Sequence, residues 1–233
     1  MRWLSLTDAG AARLPPRVAA ALAAAEIPPS KLGAARRARL GDAQRELYFW
    51  ILRRFATHGC PSRAEVAMAA ERSGLDVHDT LQTLAREDLV HTDDTGEVAV
   101  AYPFSGRSTA HSVRFESGHE AHAMCAIDAL GIAPMFDQGV HITSKDPLTG
   151  ETVCTTLTAQ GEGTTEPESA VVVAGVIDRS HESFRGCCPA LNFFTSAESA
   201  ERWLEQHPAV RGQVVAMPDA TAAGRAVFGD VFG

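Results

Sequence analysis

Two short segments hold the residues most able to do chemistry. They are Cys125-Ala126-Ile127-Asp128 and, much later in the chain, Cys187-Cys188-Pro189. On a helix, a thiol and a carboxyl three positions apart share a face. A second thiol brought against that face completes a set of two soft sulfur ligands and one acid. Such a set can grip a thiophilic metal and move a proton beside it. Taken singly, the residues say less. A lone buried cysteine is usually a small core residue, and Asp128 could cap a backbone segment or pair with an arginine. Successive side chains of an extended segment point to opposite faces, so only one of Cys187 and Cys188 is expected to meet Cys125.

These groups need elements to position them. Ser117 and Glu120 have the spacing of a capping box, which predicts a helix over 118–131 ended by Pro134. On it, Ala121, Met124, Cys125, Asp128 and Ile132 form one stripe. That stripe is otherwise apolar, so Asp128 should face the core, where desolvation favours the neutral acid and suits a proton shuttle. Strands are expected at 112–116, 140–143, 152–159, 170–176, 191–194 and 214–216. Asp146-Pro147-Leu148-Thr149-Gly150 forms a hairpin turn, and 160–168, polar and glycine-rich, reads as a mobile loop. Thr195 and Glu198 predict a capped helix carrying Ala200, Trp203 and Leu204, which stops near His207-Pro208.

The N-terminal part reads as helices. One spans 17–26 and is interrupted by Pro28-Pro29-Ser30. A second spans 42–57, with Leu47, Trp50, Ile51 and Phe55 on one stripe. Ser62 and Glu65 box a third, which runs to Ser73-Gly74. A fourth spans 77–87, with Leu81, Leu84 and Ala85 inward. A hairpin of 89–92 and 97–102 around Asp93-Asp94-Thr95-Gly96 follows. This is the order of a winged helix-turn-helix. The helix that would read DNA is acidic, however, with Asp76, Asp79 and Asp88 in or beside it, so a packing or covering role is favoured. The expected architecture is α+β: an N-terminal helical extension (1–40), a winged-helix-like module (41–101), and a mixed or antiparallel sheet core with helices (102–233).

The bulk properties agree with that outline. The chain has 233 residues, 45% hydrophobic and 21% charged, with a formal net charge of -8 and an isoelectric point near 5.6. Nucleic-acid binders usually carry a basic face, so nucleic acid is a poor fit. No apolar run reaches the ~20 residues of a membrane span, and Met1-Arg2-Trp3-Leu4-Ser5 opens no secretory signal; a soluble cytoplasmic protein is expected. Its five cysteines are odd in number, without a disulfide framework, and should be thiols in a reducing compartment. His119-Glu120-Ala121-His122 spaces its histidines by three, not the four of the zinc-protease motif, which leaves them on the solvated first turns of the 118–131 helix. Cys60 in a loop and Cys154 in a strand read as structural. The chain has no CxxC pair, phosphate-binding glycine loop or GxSxG.

In combination, several segments resemble the organomercurial (alkylmercury) lyases. They are Met124-Cys125-Ala126-Ile127-Asp128-Ala129-Leu130, Cys188-Pro189-Ala190-Leu191-Asn192-Phe193-Phe194 with Ser196, and Trp203-Leu204 with His207-Pro208. The Thr149-Gly150 hairpin and Gly224-Arg225-Ala226-Val227-Phe228-Gly229 also fit. The likeness covers about Tyr102 to Phe228, agrees in kind over 41–100, and hardly touches the first forty residues. It implies a catalytic core at 102–233 and a catalytic and mercury-binding set of Cys125, Asp128 and Cys188. Cys188 is chosen because it lies four residues before Asn192-Phe193-Phe194, which leaves Cys187 a non-essential neighbour. Some relatives carry a structural cysteine in the hairpin turn; Asp146 stands there here, and the stability that cysteine gives is expected to be missing.

The resemblance further implies protonolysis of the carbon–mercury bond without a cofactor. Two thiolates coordinate R–Hg⁺, and Asp128 carries a thiol proton to the carbon. Hg(II) then stays between the sulfurs until small thiols or a mercuric reductase remove it. Met124, Ile132, Phe193 and Phe194 are the expected pocket for the organic group. The alternatives are a non-cleaving thiol-based metal binder of the same fold, a metal-responsive winged-helix regulator, and a domain whose cysteines are merely buried. The lyase reading requires the Cys125 and Cys188 sulfurs to share a point in space with the Asp128 carboxyl beside it. Sulfurs on opposite sides of the core would end it, and Cys187 in place of Cys188 would correct the assignment.

Overall fold

The computed structural model of the protein describes residues 16–27, 35, 37–178 and 180–232; the expected break at Pro28-Pro29-Ser30 lies outside them. Helix α1 (Pro16–Ala24) precedes α2 (Asp42–His58), α3 (Arg63–Arg72) and α4 (Val77–Arg86). In α2 the buried stripe is wider than expected: Tyr48, Phe49 and Leu52 join Leu47, Ile51 and Phe55, while Trp50 is half-buried. The Ser62–Glu65 capping box opens α3 as its spacing predicts. In α4, Leu84 is buried with Thr80, and Leu81 and Ala85 are only partly covered.

Strands β1 (Val90–Thr92) and β2 (Val98–Ala101) form the expected hairpin. It continues into a larger sheet, because β2 pairs with β3 (Phe104–Ser105) and β3 with β5 (Glu120–Ala123). With β4 (Ser112–Phe115), β6 (Val140–Lys145), β7 (Thr152–Leu157) and β8 (Gly163–Glu166), they make an eight-stranded antiparallel sheet in the order β1-β2-β3-β5-β4-β6-β7-β8. The segment 160–168, expected as a loop, thus contributes an edge strand.

The expected helix over 118–131 divides in two. Its first part is β5, which pairs with β4 across a tight turn where Gly118 takes φ +85, a conformation that favours glycine. Ala121 and Ala123 are buried while Glu120 and His122 face outward. This two-residue alternation is a strand's; on a helix Ala121 and Ala123 would fall on opposite faces, and the expected stripe rested instead on Ala121, Met124 and Cys125. His119 and His122 therefore do not ride a solvated helix. His119 Nε2 lies 3.0 Å from the Phe55 carbonyl, and His122 sits on β5.

The helix proper, α5, runs Ala126–Phe136 with Cys125 as its N-cap. Pro134 lies inside it rather than ending it; the stop is Asp137, at φ +50. Pro134 removes one hydrogen bond, the one its N–H would make to the Leu130 carbonyl, and the helix continues only two residues beyond it.

The rest of the chain forms a second, three-stranded antiparallel sheet, β10-β9-β11. It comprises β9 (Val171–Val176), β10 (Asn192–Phe194) and β11 (Arg211–Ala216). Before β10 come the short helix α6 (Ser183–Gly186) and a 3-10 turn (Cys188–Ala190). After it comes α7 (Ala197–Gln206), capped by Ser196 rather than Thr195. Helix α8 (Met217–Phe228) closes the fold against α5. Gly131 and Gly224 let these helices touch: a Cβ on Gly131 would lie 2.4 Å from Phe228, and one on Gly224 would lie 2.8 Å from the Gly131 nitrogen. Among the described residues no helix is long and apolar enough to cross a membrane.

Asp146 corrects one expectation. Its buried carboxylate accepts from the Leu148 and Thr149 amides on one oxygen and from the Thr195 amide, Thr195 hydroxyl and Ser199 hydroxyl on the other. It ties the β6–β7 turn to the start of α7, so this position does stabilise the fold, by hydrogen bonds. Burial pushes its pKa up, but the Thr195 amide, the Ser199 hydroxyl and the Leu148 amide outweigh that and hold it below the usual value. Asp146→Ala should cost about 3 kcal/mol in urea unfolding, as expected when several buried donors lose their acceptor. The carboxylate's contribution is complete above the unfolded pKa of about 3.9 and is lost as pH falls through the lower folded value. Wild type and variant should therefore converge in acid.

Candidate active site

Cys125 stands where β5 gives way to α5. Its backbone is extended, and its sulfur, at the N-cap, accepts the Asp128 amide at 3.4 Å and donates to Asp128 Oδ2 at 3.0 Å. The sulfur caps the helix as an N-cap hydroxyl would, and the Asp128 carboxylate returns to the thiol itself. The three-residue spacing thus has a simple local cause: the pair closes the helix's first turn.

Cys188 comes to the same oxygen from elsewhere. Its sulfur lies 3.7 Å from Asp128 Oδ2, and the Cys125 sulfur, the Cys188 sulfur and an Asp128 oxygen all fall within 4.8 Å of one another. All three residues are buried. Cys188 does not lie in a strand, as expected, but opens the 3-10 turn. Its side chain and that of Cys187 are therefore not forced to opposite faces. The Cys187 thiol donates to the Ser183 carbonyl at 3.7 Å.

The two segments are joined directly, since the Ala126 amide donates to the Leu191 carbonyl at 2.9 Å. A further anchor comes from the α4–β1 corner. There Asp88, wholly buried, accepts from the Ser183 hydroxyl at 2.7 Å, from the Ser183 amide, and from His91 Nε2 at 2.9 Å.

Both thiols hold their protons at rest. Burial pushes Cys125 up to about 12 against the opposing effect of its hydrogen bond with Cys188, and the Asp128 charge adds a smaller push upward. Cys188 is raised well above its ordinary value by its hydrogen bond to Cys125, with burial adding to this and Cys187 opposing it. A soft metal reverses the preference, because coordination deprotonates a thiol outright. The displaced Cys125 proton then has an acceptor 3.0 Å away.

A cavity of about 20 Å³ adjoins the sulfurs, lined on its apolar side by Ile27, Tyr102, Ile127, Leu191, Val227 and Phe228. The residues expected there lie elsewhere. Ile132, Phe193 and Phe194 are fully buried and Met124 is half-buried, and none of them lines the cavity. Phe194 packs on Trp203 and Phe193 on His111, because β10 turns these rings into the sheet packing. Of the actual lining, Val227-Phe228 sits in a segment that the sequence singled out. Ile27, Tyr102 and Ser183 gave no sequence signal, since only the tertiary fold brings them to the sulfurs.

A sequence model of the alkylmercury lyase family matches residues 104–229. The chain belongs to that family. It is 32% identical over 180 residues to an alkylmercury lyase of Staphylococcus epidermidis, covering 76% of this chain and 80% of that one. It is 30% identical over 156 residues to one of Bacillus cereus, covering 67% and 70%. The fold matches the crystal structure of the mercury-bound form of MerB2 with a TM-score of 0.69 at 21% identity, over 85% of this chain and 96% of that one. The protein is thus an organomercurial lyase, and the three rival readings lose ground.

With both thiols protonated at rest, iodoacetamide labelling of Cys125, followed by peptide mass spectrometry, should keep rising with pH beyond about pH 10, because the thiolate is the nucleophile. A plateau near pH 8 would contradict the neutral-thiol site.

Proposed function

We propose that Cys125, Cys188 and Asp128 cleave the carbon–mercury bond by protonolysis. The observation that carries this reading is the buried triangle of two sulfurs and one carboxylate oxygen within 4.8 Å, in which one oxygen, Oδ2, serves both thiols. R–Hg–X loses X⁻ as the first sulfur bonds mercury. The second sulfur then adds, and its donation moves electron density onto carbon. One thiol proton leaves with X⁻. Asp128 takes the other from Cys125 and delivers it to carbon, giving R–H and Hg(II) held by two sulfurs. Atoms and charge balance, mercury stays Hg(II), and Asp128 ends as it began. The reaction calls for no cofactor.

The apolar side of the cavity, above all Ile27, Val227 and Phe228, houses the organic group. At about 20 Å³ the space takes a single water, so an alkyl or aryl group displaces lining side chains as it enters. Small thiols or a mercuric reductase accept the Hg(II), and a reducing cytoplasm keeps the thiols ready. The module at 41–101 serves the site by packing, with its Asp88 corner against Ser183, rather than by reading DNA.

The test is benzene or methane release from phenylmercury or methylmercury with excess thiol. Wild type should release hydrocarbon, whereas Asp128→Ala and Cys125→Ser should lose at least about 100-fold, the low end for removing a proton-transfer group. Thiol-dependent mercury binding by wild type without hydrocarbon would instead leave the non-cleaving binder.

A further inference from the structure

Cys187 lies between two cavities. The inner one is the site cavity described above. The outer one, of about 40 Å³, is lined by Glu26, Ile27, Asp178, Ser180, Ser183 and Cys187 among others. Ile27, Ser183 and Cys187 line both. Glu26 and Asp178 are exposed, so the outer cavity is the polar, solvent-facing one. The three thiols are graded in the same direction, with Cys125 1%, Cys188 5% and Cys187 7% exposed. Cys187 immediately precedes Cys188, at the start of the 3-10 turn.

We propose that Cys187 is the exit ligand for the Hg(II) product, taking mercury from the buried Cys125–Cys188 pair and presenting it to external thiols through the outer cavity. The proposal rests on the lyase reading above. It follows from a conflict within the site: two buried sulfurs bind a soft dication tightly, and burial keeps an incoming thiol from attacking it. A third sulfur beside that set, on the wall shared by the inner and outer cavities, offers a lower path, because ligand exchange proceeds by addition of one sulfur before another leaves.

The Cys187 sulfur bonds mercury as the bond to Cys125 breaks, and the Cys187 proton passes to the Cys125 sulfur. Mercury, still Hg(II), is then held by the adjacent Cys187 and Cys188 at the α6 end of the turn. Two external thiols replace these sulfurs in succession, each giving its proton to the sulfur that departs.

A purely structural role is separable from this one. A serine at 187 can keep the hydrogen bond to the Ser183 carbonyl but has no soft sulfur. Wild type, Cys187→Ser, Cys187→Ala and Cys154→Ser are each loaded with one equivalent of mercuric chloride and mixed with glutathione, and mercury left on the protein is followed with time. Cys187→Ser and Cys187→Ala should hand over mercury roughly tenfold more slowly than wild type, since access of the attacking thiol sets the exchange rate. Cys154→Ser, which removes a thiol outside the cluster, should match wild type. Transfer from both Cys187 variants as fast as from wild type would overturn the proposal, and a thermal melt of each identifies a variant lost to misfolding. Benzene release by wild type from phenylmercury is measured beside it. Its absence would sink the lyase reading, whereas equal transfer rates with benzene release would sink the exit ligand alone.

Discussion

Everything in this fold answers to one demanding contact: a buried carboxylate oxygen shared by two thiols. A carboxylate taken out of water is costly unless hydrogen bonds compensate, and thiols are weak donors. The helix supplies part of the remainder. Asp128 lies in the first turn of α5, where the backbone dipole favours negative charge. The same position fixes its side chain against Cys125, because the sulfur that caps the residue 128 amide also donates to the Asp128 carboxylate. Site geometry and helix initiation therefore share one sulfur, and Cys125 cannot be moved without also uncapping α5.

The second thiol has no such local support, and the fold provides it from outside. The chain from Ser183 to Ser199 is fastened at both ends by buried carboxylates, Asp88 at Ser183 and Asp146 at Thr195 and Ser199. In between, the Ala126–Leu191 hydrogen bond joins it to the start of α5. Cys187 and Cys188 lie within this span. Two acids remote from the chemistry thus hold the reach of Cys188 to Asp128, each satisfied by several donors as buried charge requires. The resting site is neutral at its thiols, so no net thiolate charge has to be buried before substrate arrives.

Much of this was legible in the residues, and the failures have physical causes. The Cys125–Asp128 spacing pointed to the right pairing because capping is local. The strands around 112–115, 140–145 and 171–176, the Ser62 cap and the Asp146 turn were read correctly for the same reason. The segment 118–125 departs from the expected helix because the Ser117–Glu120 spacing suits a cap and Ala121, Met124 and Cys125 suit a helical stripe, yet a glycine turn and strand pairing to β4 take over. The cavity beside the sulfurs was not foreseen because its walls come from the segment after α1, the residue after β2, α5 and α8 together, and no spacing rule links Ile27 to Phe228. Asp146 looked like a lost cysteine because its partners, Thr195 and Ser199, are remote in sequence.

The α4–β1 corner shows how a familiar order of elements can serve a different end. Helix, turn, helix and hairpin are present, but the hairpin is the margin of an eight-stranded sheet, and the buried acid at the corner points at the segment carrying the second thiol. Asp88 holds φ +54, a left-handed conformation that aspartate tolerates better than most residues. That bend ends α4 and aims the carboxylate at Ser183 and His91 together. An acidic residue in this place is unfavourable for approaching a phosphate backbone and well suited to receiving the Ser183 amide and hydroxyl. The acidity that argued against DNA in the sequence thus has a positive explanation in the structure: one of those acids is buried inside the protein, holding the start of the segment that carries Cys187 and Cys188.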